Sequence, residues 1–102
     1  MFCYVWEYRV APAHRDAFLA ACGPDGDWVK LFARDPAWLG TELGVDLDDP
    51  LRFVTLDRWT SRAACLAFRE RFRNEFDAID RVRETLTAEE RHLSDFERPE
   101  RA

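Results

Sequence analysis

The sequence predicts an α+β domain with βαββαβ order, in which one antiparallel sheet packs against two helical stretches. Four short apolar runs alternate with two amphipathic stretches in the order strand, helix, strand, strand, helix, strand. A chain of 102 residues with 47% hydrophobic content is large enough for one core and too short for two. Several predicted strands also carry large apolar side chains on both faces, so a second copy of the chain is expected to cover the sheet.

Composition argues against several functional classes. The formal net charge of −5 disfavours binding to nucleic acid or to an anionic membrane surface. No run of about 18 apolar residues is present to span a bilayer, and the N-terminus lacks a secretory pattern, so a cytoplasmic location is predicted.

The high aromatic content, with four Trp and eight Phe, suggests a pocket or a subunit interface as well as a core. The three cysteines form no CxxC pair and are expected to be small buried hydrophobic side chains.

The first strand is predicted over Cys3–Val10, which is rich in aromatic and β-branched residues. Pro12 ends it, and a helix follows over Ala13–Cys22. Gly23 fits the left-handed residue that closes a helix. Asp27 is expected to cap a second helical piece, whose apolar residues at helical spacing are Trp28, Leu31 and Phe32.

Two further strands are predicted over Trp38–Leu47 and Arg52–Trp59. In the first of them, Leu39, Thr41, Leu43, Val45 and Leu47 fall on one side, opposite Trp38, Glu42 and Asp46. Gly40 and Gly44 lie on that second side and leave space for a bulge, a ligand or a close backbone.

A long amphipathic helix is predicted to begin at a Thr60-Ser61 cap. Its apolar stripe consists of Cys65, Phe68, Phe72, Phe76, Ile79 and Val82. Periodicity alone does not decide whether the stripe breaks near Arg73-Asn74. Thr87–Glu90 has the form of a capping box and predicts one short helical turn before strand four, over Arg91–Phe96. Residues 1–97 are therefore assigned to a single domain, and residues 98–102 are expected to be a frayed tail.

Apolar residues on both faces of the sheet predict a homodimer. Tyr4, Trp6 and Tyr8 lie opposite Val5 along strand one, and Phe53 and Trp59 lie opposite Val54 and Leu56 along strand three. A monomer would expose a broad apolar surface, which pairing two sheets around a two-fold axis would remove.

Three segments give the chain a resemblance to the antibiotic biosynthesis monooxygenase family. They are Val5–Val10, Leu39–Leu43 and Phe53–Ser61, the last being a strand that ends in Trp and runs into a Ser-capped helix carrying Ala64 and Phe68. The resemblance covers about residues 3–97 and implies a ferredoxin-like fold that forms a dimeric α+β barrel. Some members of this family oxidise aromatic polyketides with O2 and no cofactor, while many others have no known activity.

A related branch degrades haem with an Asn in strand one and a Trp and a His in the last helix. The corresponding positions here are Tyr8, Phe68 and about Ala78, and the segment Ser61–Leu86 contains no histidine. Haem binding of that kind is therefore not predicted, and no cofactor is expected. A metal site is not predicted either, because the Glu89/His92 pair occurs only once and di-iron bundles need two.

An oxygenase that uses no cofactor needs an apolar aromatic cavity, a polar group to deprotonate or orient a phenol, and exclusion of water. The predicted catalytic residues are Tyr8, Glu7 and His92, and Tyr8 is the polar group to test first. The predicted ligand-binding residues are Trp6, Trp28, Phe32, Phe53, Trp59, Phe68 and Phe72. Other polar candidates on the strands are Arg9, Glu42, Arg52, Asp57 and Arg58, any of which would equally suit an ion pair at a dimer interface.

Two functions are compatible with the sequence. One is a cofactor-independent monooxygenase that binds a small aromatic or apolar compound, and the other is a non-catalytic ligand-binding or structural homodimer. The volume beside Tyr8 and Trp59 distinguishes them, because a void of a few hundred Å3 favours a ligand site. An RNA-binding role, suggested by the same element order, is disfavoured because strand three lacks the glycine-aromatic signature.

Overall fold

The computed structural model describes residues 1–99. Its elements in chain order are β1 (Phe2–Val10), α1 (Arg15–Cys22), α2 (Asp27–Phe32), β2 (Trp38–Val45), β3 (Arg52–Trp59), α3 (Arg62–Arg71), α4 (Arg73–Leu86) and β4 (Thr87–Glu97). A single 3₁₀ turn over Pro12–His14 precedes α1, so the first helix begins in two steps.

The four strands form one sheet in the order β2-β3-β1-β4, and every neighbouring pair is antiparallel. This order, with helices inserted between β1 and β2 and between β3 and β4, is the ferredoxin-like arrangement. The predicted α+β class is therefore confirmed. The helices cover one face of the sheet, called here the helix face, and the opposite face is called the open face.

Strict alternation along β3 separates the two faces. Phe53, Thr55, Asp57 and Trp59 are all buried, whereas the residues between them are half-buried. On β1, Tyr4 and Tyr8 pair with Asp57 and Phe53, so these two tyrosines also point to the helix face. The core therefore lies between the two central strands and the helices, and it is dominated by aromatic rings.

A β-bulge in β2 changes which residues of that strand share a face, so the faces predicted from simple alternation are wrong at its start. The register shifts between Trp38 and Gly40, where the Gly40 φ is 156°. Trp38 consequently lies on the same side as Thr41, and its indole Nε1 donates a hydrogen bond to the Thr41 hydroxyl at 3.0 Å. The alternation expected from the sequence had placed these two residues on opposite sides, because it allowed a bulge without assigning its position.

The boundaries of the last two helices depend on local hydrogen bonds. Ser61 caps α3 as predicted, since its hydroxyl accepts a bond from the Ala64 backbone N–H at 3.0 Å. The stripe breaks at Phe72, where the backbone leaves the helical region between α3 and α4.

The capping box predicted for Thr87–Glu90 is wrong. These residues already belong to β4, and Thr87 and Glu90 pair with Val10 and Tyr8 of β1. The backbone groups that a capping box would have satisfied locally are satisfied by the neighbouring strand instead.

Two predictions at the α1–α2 connection are also corrected. Gly23 has an extended backbone, with φ −79° and ψ −176°, and is not left-handed. A Cβ atom there would lie 2.5 Å from the Leu19 carbonyl oxygen, so glycine is needed for close approach. Gly26, and not Asp27, is the capping position of α2.

Other parts of the chain agree with expectation or lie outside the structure. Cys3, Cys22 and Cys65 are free and buried, as predicted. Within residues 1–99, no helix combines the length and the apolar character needed to cross a bilayer. Of the tail predicted over 98–102, the Arg98 backbone N–H donates a bond to the Met1 carbonyl at 3.0 Å, and residues 100–102 lie outside the described residues.

Candidate functional site

A cavity of about 270 Å3 lies between the helix face of the sheet and helices α1, α2 and α4. It is called here the inner cavity. Its aromatic walls are Tyr4, Trp6, Tyr8, Trp28, Phe32 and Phe76. Its polar lining consists of Thr41, Thr55, Asp57, Arg69, Asp80, Arg83, Glu84 and Glu90, and the thiol of Cys22 completes it. Such a combination of apolar walls and a few convergent polar groups is typical of small-molecule sites.

Asp57 is a buried carboxyl group on the floor of the inner cavity. It is 5% exposed, and its Oδ1 accepts a hydrogen bond from the Thr41 hydroxyl at 2.6 Å. Burial raises the pKa of Asp57 to about 6, although the bond from Thr41 and the charges of Arg83 and Arg69 act in the opposite direction. Trp38 donates to Thr41 in turn, so the carboxyl group is held at the end of a short chain of bonds. A carboxylate with a pKa near neutrality suits a general base.

The Tyr8 hydroxyl lies in the same cavity and is oriented by two donors. Arg83 donates from Nη1 at 3.1 Å, and the Thr55 hydroxyl donates at 3.4 Å. Burial raises the pKa of Tyr8 above its ordinary value, and the charge of Arg83 only partly opposes this, so the phenol remains protonated. Because both neighbours donate to its oxygen, the Tyr8 proton is available to a ligand.

Arg83 connects α4 to β4 beside this tyrosine. Its Nε donates to Glu90 at 2.9 Å, and it also pairs with Asp80. Burial alone would lower the pKa of Arg83, but Tyr8, Glu90 and Asp80 outweigh burial and raise it. The guanidinium also lies 5.1 Å from the Tyr8 ring centroid and 4.8 Å from that of Trp28. It therefore fixes the position of Tyr8 from two directions.

The structure divides the sequence-predicted aromatic residues into two groups. Trp6, Tyr8, Trp28 and Phe32 line the inner cavity. The other four pack in the hydrophobic core beside it and do not line it: Phe53, Trp59, Phe68 and Phe72. The inner cavity therefore lies beside Tyr8. Trp59 does not line it, because its side chain is 0% exposed and its ring centroid lies 5.4 Å from that of Phe32 and 4.9 Å from that of Phe68.

Glu7 and His92 lie elsewhere. Glu7 points to the open face, where Arg52 Nη2 donates to it at 2.7 Å and lowers its pKa. The structure does not bring it to the inner cavity. His92 lines an adjoining, more exposed cavity, where its ring lies 5.4 Å from Trp6 and its Nε2 lies 2.8 Å from Asp95.

The polar residues that the structure adds to the site are Thr41, Thr55, Arg69 and Arg83. Sequence reasoning named Asp57 only as one of several polar strand residues. A usable signal was present, since Thr55 and Asp57 occupy every second position between Phe53 and Trp59 and therefore share the face of those two apolar residues. The arginines carried no comparable signal, because charged residues on an amphipathic helix are usually solvated. No group of three or more metal-ligating side chains occurs within the described range 1–99.

Residues 1–72 match the family model of antibiotic biosynthesis monooxygenases, which is more than half of the chain. The chain belongs to the antibiotic biosynthesis monooxygenase family. The match includes all three segments on which the sequence resemblance was based. No curated protein sequence matches this member of the family significantly.

Solved structures share the fold of this antibiotic biosynthesis monooxygenase family member over nearly its whole length. A conserved protein from Methanosarcina mazei has a TM-score of 0.78 at 13% identity, with 96% of this chain and 92% of that chain covered. A candidate antibiotic biosynthesis monooxygenase from Nitrosomonas europaea gives 0.74 at 18% identity, with coverages of 95% and 97%. SnoaB, a cofactor-independent oxygenase from Streptomyces nogalater, gives 0.66 at 20% identity, with coverages of 98% and 94%. At these identities the likeness establishes the fold alone.

Proposed function

We propose that the protein binds a small phenolic aromatic compound in the inner cavity and oxidises it with O2 without a cofactor. The observation that carries this proposal is the buried carboxyl group of Asp57, which faces the same aromatic-walled space as the Tyr8 hydroxyl. The Asp57 carboxylate can accept a proton at neutral pH, and the Tyr8 hydroxyl can donate a hydrogen bond. Together they suit a substrate that is deprotonated and then held as an anion.

In this proposal the Asp57 carboxylate takes a proton from the substrate and leaves an electron-rich anion. Tyr8, held by Arg83, donates a hydrogen bond to the oxygen on which negative charge develops. The anion supplies the electrons that reduce O2. For a CH2 group between aromatic rings, one oxygen atom becomes the product carbonyl, the other leaves as water, and both hydrogens of the CH2 group end in that water.

Family membership and the fold shared with SnoaB support this reading over a purely structural role. The volume of about 270 Å3 also supports a ligand site, because side chains would fill the space if the protein were only a scaffold. The second candidate is a protein that binds the same class of compound without changing it. The cavity supports the oxygenase and the non-catalytic binding protein equally, so only a measurement of turnover distinguishes them.

The test is aerobic incubation with 1,8-dihydroxyanthrone, a tricyclic phenol with a reactive CH2 group. The expected result is protein-dependent consumption of one O2 for each quinone formed, with one atom of isotopically labelled oxygen in the product. Asp57→Asn should abolish the increase over spontaneous oxidation. Binding of the compound with no increase in its oxidation would support the non-catalytic alternative instead.

We also propose that the molecule is a cytoplasmic homodimer formed through the open face of the sheet. Val5, Val54 and Leu56 form the half-buried centre of that face, and Phe96 at its β4 edge is 53% exposed. The ion pairs Arg52–Glu7 and Arg58–Glu42 flank this apolar centre at 2.7 and 2.8 Å. An apolar centre with a polar rim is the usual composition of a subunit interface.

A further inference from the structure

The inner cavity contains a cation that has no ion-pair partner. None of the ion pairs among residues 1–99 includes Arg69, and its buried Nε has no hydrogen-bond acceptor. The guanidinium instead lies 5.1 Å from the Tyr4 ring centroid and 5.5 Å from that of Phe76. Burial raises the pKa of Tyr4, and the charge of Arg69 and its hydrogen bond to the phenol partly oppose this, so the polar contact of Arg69 is to a neutral group and not to a carboxylate. Arg83, the other arginine of the cavity, is paired with both Asp80 and Glu90.

The absence of a partner is unexpected in a chain with this composition. The protein has 20 acidic and 15 basic side chains, so carboxylates are plentiful. The acidic residue of the inner cavity that Arg69 influences is Asp57, whose carboxyl group accepts its bond from Thr41. A half-buried guanidinium without a counter-ion is costly unless a ligand provides one. Arginine also presents a planar fork of donors, which matches a carboxylate.

The position of Arg69 indicates where such a ligand would extend. The adjoining cavity beside His92 has a volume of about 370 Å3 and shares Tyr4, Trp6 and Arg69 with the inner cavity. It is called here the outer cavity. Arg62 lines it as a second guanidinium, while its only carboxylate among the described residues, Asp95, is bonded to His92. The lining of the outer cavity is thus more positive than that of the inner cavity, and Arg69 belongs to both.

We propose that the ligand is an aromatic acid whose phenolic end occupies the inner cavity and whose carboxylate binds Arg69 on the outer side. This inference rests on the proposed function, because it assigns a substrate class to the same site. The Tyr4 and Phe76 rings hold the guanidinium in position, and Arg62 adds positive charge farther out. Arg69 is in this view a specificity residue that distinguishes acidic aromatic compounds from neutral ones.

The test compares two probes that differ by one carboxylate, 6-hydroxy-2-naphthoate and 2-naphthol, by calorimetric titration at neutral pH. Arg69→Met keeps an apolar stem against the two rings and removes the charge. We expect it to weaken hydroxynaphthoate binding by roughly tenfold or more, since charge-assisted bonds are worth more than neutral ones, and to leave naphthol binding within about twofold. Arg69→Lys should give an intermediate loss, because it keeps the charge without the fork.

Arg81→Met is the matched control, because Arg81 is exposed on α4, lines neither cavity and carries the same charge. It should change neither affinity. If wild-type protein binds naphthol as tightly as hydroxynaphthoate, or if Arg69→Met weakens both probes equally or neither, the acidic substrate class is overturned while the inner site stands. If wild-type protein binds neither probe, the proposed function fails together with this inference. Circular dichroism of each variant checks that the fold is retained.

Discussion

The buried carboxyl group of Asp57 makes the stability of the fold depend on pH. Its carboxyl group is buried with one hydrogen bond from Thr41, and burial raises its pKa from 3.8 to about 6. The folded state therefore holds the proton more tightly than the unfolded chain. The resulting stabilisation is fully present below about pH 4 and is lost as the pH rises through 6.

This difference predicts the behaviour of Asp57→Asn, which cannot ionise. Relative to the variant, the wild-type free energy of unfolding should fall by on the order of 3 kcal/mol between pH 4 and pH 7. Urea unfolding of both proteins across this range measures the difference. A constant gap between the two curves would mean that Asp57 titrates normally and is no candidate base.

Tyr8→Phe removes one hydroxyl from the inner cavity and retains the ring. Arg83 keeps its pairs with Glu90 and Asp80, so the fold should be retained. If the protein is an oxygenase, turnover of 1,8-dihydroxyanthrone should fall by about tenfold or more, because one preorganised donor is lost. Phe72→Leu serves as the control, because Phe72 packs beside the hydrophobic core and lines neither cavity. Turnover unchanged in Tyr8→Phe would exclude the hydroxyl from the chemistry.

The bulge in β2 aligns Trp38 and Thr41 with Asp57. It depends on Gly40, whose φ of 156° is unfavourable for other residues. Gly40→Ala should cost about 1–3 kcal/mol of stability. It should also weaken the hydrogen bond from Thr41 to Asp57. Because that bond lowers the pKa of Asp57, its loss should raise the pKa further, and the free energy of unfolding should then fall more steeply as the pH rises.

Gly44→Ala is the matched control in the same strand. A Cβ there would meet the Val54 Cγ2 atom at 3.4 Å, an ordinary contact, and the backbone is not left-handed. Thermal unfolding of the two variants provides the comparison. Equal losses of stability would show that the bulge imposes no special requirement on Gly40.

The sequence predicted the elements better than their junctions. Periodicity located β3 to the residue, because its alternation is strict and both of its neighbours in the sheet are strands. The capping-box motif gave the wrong structure at Thr87–Glu90, because pairing with β1 satisfies the backbone there in place of a local cap. Periodicity could not position the bulge at Gly40, because a bulge is defined by the register of two strands.

The sequence also does not show which distant segments meet, and this explains which site residues were recognised and which were missed. Tyr8 and Trp28 were identifiable as aromatic residues of buried elements, and both line the inner cavity. Trp59 and Phe68 show the same pattern but pack in the core, because the sequence does not encode which rings leave a gap between them.

Asp80, three residues before Arg83 on the same helix, is a partner that the sequence shows, whereas Arg69 has no acidic residue three or four positions away. The sequence does not show that Glu90 and Tyr8 also meet Arg83, because both come from strands.

The open face of the sheet is the surface through which two copies of the chain would pair. Val54 lies near the centre of that face, opposite Glu7 of β1, and Val45 lies on the helix side of β2 at 47% exposure. Val54→Lys and Val45→Lys therefore place the same charge on opposite sides of one sheet. In a face-to-face dimer, Val54→Lys would bury two lysines around the two-fold axis, a cost of several kcal/mol.

Sedimentation equilibrium should consequently give twice the mass of one chain for the wild type and for Val45→Lys. Val54→Lys should be monomeric at the same concentration, with its dimer dissociation constant raised by about a hundredfold or more. Its lysine can pair with Glu7 within one chain, so the fold itself should be retained. A wild-type protein that stays monomeric at every concentration would contradict the dimer. A dimer that Val54→Lys leaves intact and Val45→Lys disrupts would place the interface on the other side of the sheet.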